Sequence, residues 1–130
     1  MNDFAPKAPA ATTAACGAYL LVALADARVA AIEEARFLGG VVNDPAFRRF
    51  DAAALAGEYN RLLAALRADW TSAEAEILAA AVSAKSDPAA VEAIKMAARQ
   101  AIIADQAIKP QEDIVLARIA SALGLRAGEL

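Results

Sequence analysis

The chain has 130 residues, a net charge of −3, a pI near 4.9 and no His, and hydrophobic residues make up 59% of it. An acidic balance excludes sequence-independent nucleic-acid binding, which needs a Lys and Arg excess to displace counterions. The length suits one domain that buries about two thirds of its unfolded surface. Ala supplies nearly a third of the residues, and Ala is a strong helix former that adds little burial, so the composition predicts a helix-rich, water-soluble domain.

Residues 1–13 mix Pro, Ala and Thr without the apolar core of a signal peptide. They read as a disordered lead-in to a domain over 14–130, and the protein is expected in the cytoplasm. The first helix is predicted from about Thr13 to Ala25. It is apolar nearly all round (Tyr19, Leu20, Leu21, Val22, Leu24), which places it at the centre of a bundle. Its apolar run stops at Asp26, well short of the roughly 20 residues that span a membrane. Cys16 is the single cysteine; its apolar neighbours make it a small buried hydrophobe rather than a reactive thiol.

A second helix is expected from about Ala31 to Val42, and Asp44-Pro45 restarts the chain as N-cap and first helical residue. Arg48-Arg49 is too small a basic pair to change the nucleic-acid reading. Asp51 caps a longer helix with Leu55, Tyr59, Leu62, Leu63 and Leu66 as its buried stripe. Thr71-Ser72-Ala73-Glu74 reads as a capping box, followed by a stripe of Ile77, Leu78, Ala81 and Val82. Asp87-Pro88 opens a helix carrying Val91, Ile94, Ala98, Ile102 and Ile103. Pro110 opens the last, with Ile114, Leu116, Ile119 and Leu123, and Gly124-Leu125 closes it as a glycine C-cap. Phe47, Phe50 and Trp70 are expected to sit largely in the core. The fold class predicted is all-α, a compact bundle of six or seven helices, with helix pairs at about 18–42 and 97–121 as pseudo-symmetric halves.

Those pairs share a pattern. Asp26, Val29 and Glu33 recur as Asp105, Ile108 and Glu112, each in an Asp-x-x-(Val/Ile)-x-x-x-Glu turn between helices, with Glu34 and Asp113 alongside. Segments 26–34 and 105–113 each carry a net charge of −2, so together they exceed the −3 of the whole chain. One reading is helix capping. Another is a binding site: an Asp at a helix C-terminus is disfavoured by the dipole, and three acids in one turn repel unless something offsets them. Should the halves pack as equivalents, Asp26, Glu33, Asp105 and Glu112 would face one point, an oxygen-only set suited to Ca²⁺ or Mg²⁺ rather than zinc. Neither turn has the ligand spacing of an EF-hand. An enzyme is not indicated: Ser72, Ser83, Ser86 and Ser121 have no base spaced to activate them, and no Gly-rich phosphate loop is present.

With these doubled turns and the ending Ile119-Ala120-Ser121-Ala122-Leu123-Gly124-Leu125, the sequence resembles the TerB-like family over about residues 14–125. This is a family of bacterial tellurite-resistance proteins, with a related domain in a membrane-anchored DnaJ-like co-chaperone. The resemblance implies a compact bundle with pseudo-twofold halves and a non-enzymatic role in stress response. It also implies divalent-metal binding at Asp26, Glu33, Asp105 and Glu112, and protein partners in an assembly at the inner face of the membrane. Ala27 and Gln106 stand where the family commonly has Gly, and Ala30 and Lys109 where a capping Ser or Thr would be expected. The alternative function is a purely structural interaction module whose acids only cap helices.

Overall fold

The computed structural model describes residues 10–24, 50–105 and 110–126. These form five helices: α1 (Ala10–Leu24), α2 (Ala52–Ala68), α3 (Trp70–Ala84), α4 (Pro88–Asp105) and α5 (Pro110–Ala122), with no strand among the described residues. The all-α class follows. The helix expected at 31–42, the Asp44-Pro45 restart and Phe47 lie outside the described residues, and with them the test of two equivalent halves.

α1 is the axis of the bundle. Every residue from Thr12 to Ala23 is buried, and the helix touches all four others. A helix this apolar has no face to offer water, so its neighbours must enclose it. It starts three residues earlier than expected because Ala10 and Ala11 favour helix strongly. Tyr19 packs on Tyr59 of α2 with ring centroids 6.2 Å apart and planes tilted by 53°, an attractive aromatic geometry.

In α2, Asp51 is the N-cap as expected, its carboxylate accepting from the Ala54 N–H at 2.8 Å. Leu55, Tyr59, Leu62 and Leu66 are buried, whereas Leu63 is half-buried. α3 corrects the sequence reading. The cap is Asp69, not Thr71: Asp69 accepts from the Ser72 N–H and Ser72 hydroxyl, while its own N–H donates to the Ala65 carbonyl of α2 at 2.8 Å. Asp caps better than Thr, and here one residue ends one helix and starts the next. Glu74, released from the supposed box, instead holds Arg118 of α5 at 2.9 Å.

Small residues set the spacing of the core. α3 buries Ala73, Ile77, Ala81 and Ala84, and leaves Val82 47% exposed against expectation. α4 buries Ala90, Ala93, Ile94, Ala97, Ala98 and Ala101, and makes the most extensive contact with α1. Gly17 of α1 sits where a Cβ would run into Ile77, so α1 and α3 approach as closely as a helix without a side chain permits. In α5 the buried stripe is Val115, Ile119 and Leu123, with Leu116 half-buried; Ile114, expected inside, is 56% exposed. The stripe is the i, i+4, i+8 row beginning one residue later. α5 closes as predicted: Gly124 has φ +75°, its N–H donates to Ser121, and the Leu125 N–H donates to Ala120, the paired bonds of a Schellman ending.

Candidate functional site

Of the four predicted ligands, Asp26 and Glu33 lie outside the described residues. Asp105 is the last residue of α4 and Glu112 falls in the first turn of α5, and their side chains are likewise outside. The helices that lead into the two acidic turns are described, and they determine where each turn begins. Ala11 of α1 and Ala90 of α4 line one cleft. An antiparallel pair would place these first turns a helix length apart, about 20 Å for helices of 15 and 18 residues. The first turns of α1 and α4 therefore lie at the same end of the bundle, and the two helices pack extensively on each other.

At this end lies the cleft, of about 400 Å³, lined among the described residues by Ala11, Thr12, Phe50, Asp51, Ala54, Asp87 and Ala90. The starts of α1, α2 and α4 meet there. Asp51 and Asp87 are both employed as caps, Asp87 accepting from the Ala89 N–H at 3.1 Å.

The most developed polar arrangement among the described residues was not anticipated from sequence. Glu58 of α2 is only 6% exposed. One of its carboxylate oxygens accepts from the Thr13 hydroxyl of α1 and from Arg61 Nη2, both at 2.7 Å, and the other accepts from Arg61 Nε at 2.8 Å. Arg61 Nη2 also reaches Glu76 of α3 at 2.6 Å. Three helices are thus tied through the Glu58–Arg61 pair, α1 at the carboxylate and α3 at the guanidinium. The hydrogen bonds from Arg61 hold the Glu58 carboxyl below the ordinary carboxylate range, against the upward push of burial and with help from Thr13. Arg61 is pushed up in turn by Glu58 and then Glu76. With both oxygens of Glu58 occupied, this network is a fastening and not a ligand set. A signal existed: Glu58 falls between Leu55 and Leu62 at +3 and +4 spacing, on the buried stripe, with Arg61 one turn on.

Cys16 is fully buried and its thiol donates to the Leu55 carbonyl at 3.4 Å. Burial, and then the charge of Glu58, push the thiol far up, so it is protonated and inert as expected. Phe50 and Trp70 are partly buried against the core. No group of three or more His, Cys, Asp or Glu that would hold a metal occurs among the described residues, a set that omits the acidic turns. No helix among them is long and apolar enough to cross a membrane.

A model of one protein family, described as tellurite resistance protein TerB, matches residues 12–130. Neither the curated proteins nor the solved structures give a match.

Proposed function

The chain belongs to the TerB family, and from that premise we propose that it acts as a tellurite-resistance-type stress-response domain, by binding and not by catalysis. Its ligand is a divalent cation, Ca²⁺ or Mg²⁺, or a protein partner, taken up by Asp26, Glu33, Asp105 and Glu112 together. The observation that supports this reading is that the first turns of α1 and α4, the helices that precede the two acidic segments, meet at one end of the bundle and the helices pack extensively together. Two turns of charge −2 brought together would repel, and a hard cation with oxygen ligands would relieve the repulsion. A cytoplasmic setting and indirect association with a membrane through partners accompany the proposal.

A second reading has its own support. Asp51, Asp69 and Asp87 all cap helices in this chain, so Asp at a helix boundary serves punctuation here three times over. On that reading the turns are structural and the protein is an interaction module.

Titration of Ca²⁺, then Mg²⁺, into chelator-treated protein separates the two, read by calorimetry and by melting temperature. A shared site predicts one ion per chain, a raised melting temperature, and loss of most binding in Asp26→Asn and in Asp105→Asn alike. If each variant kept half the sites, the turns would be binding separately. No heat at millimolar cation, together with a loss of about 1 kcal/mol of stability in each variant, would establish capping instead.

A further inference from the structure

We draw no further inference here: the strongest candidate, the cleft of about 400 Å³ where the N-terminal ends of α1, α2 and α4 meet, carries nothing, because its carboxylates Asp51 and Asp87 serve as caps of the helices they precede and nothing in the structure shows what would occupy it.

Discussion

Glu58 shows how much one side chain can be asked to hold. A carboxylate taken out of water is costly unless its lone pairs are filled, and here Thr13 and Arg61 fill them. Replacing it by Gln keeps the shape and removes the charge that Arg61 was drawn to. Arg61 is itself half exposed, so solvent screens part of the attraction, and Glu58→Gln is expected to lose about 2 kcal/mol at pH 7. The folded carboxyl titrates lower than the unfolded one. Its contribution is therefore fully present above the unfolded value, near pH 4.5, and disappears as pH falls through the folded one. Urea midpoints of the two proteins should differ at pH 7 and converge as pH is lowered below 4.5. A gap that stayed constant with pH would mean that the charge on Glu58 was not the source.

Among the helices, most start and stop signals were legible, the box read at Thr71 being the exception because Asp69 caps that helix, and faces set by a subtle rotation were not. Asp51, Asp87-Pro88, Pro110 and Gly124-Leu125 each mark a boundary by local chemistry alone, and each is found where expected. Val82 was misplaced because α3 turns Ala73, Ile77, Ala81 and Ala84 inward, and Ile114 because the buried row of α5 begins one residue later, at Val115. In α3 and α4 the buried face is the one with small residues, where axes come close, and a larger apolar side chain such as Val82 can be left outside. The acidic turns were visible as a pattern, but a site shared between them requires helices far apart in sequence to pack together, which no local signal carries. The close approach has a test of its own. Gly17→Ala gains up to about 1 kcal/mol of helix propensity, yet its Cβ runs into Ile77, and overpacking costs about 1–3 kcal/mol. A net loss of stability is expected in thermal melts. The pair Gly17→Ala with Ile77→Ala should cost less than the sum of the singles, since the second change vacates the space the first needs. Additive losses would place the strain elsewhere.

The molecule as a whole is built inward from α1, and Cys16 reports on that construction. Its thiol is fully buried in a helix enclosed by four others, so a disulfide-exchange reagent reaches it only when the bundle opens. The labelling rate in native buffer should follow the global unfolding equilibrium measured with denaturant, and Glu58→Gln should raise it by about 30-fold if the loss is 2 kcal/mol. Fast labelling insensitive to that variant would show that α1 is exposed by local motion. The central position of α1 also bears on how the protein is made. α1 precedes all its described partners in the chain, and its broadest partner, α4, ends at Asp105. About 80 residues must follow α1 before that contact can close, roughly 4–16 s at ordinary rates of synthesis. For that interval an apolar helix that the finished protein never shows to water has only α2 and α3 to cover it as they emerge. The nascent chain is a natural client for chaperones that shield apolar segments, and its folding waits for its second half.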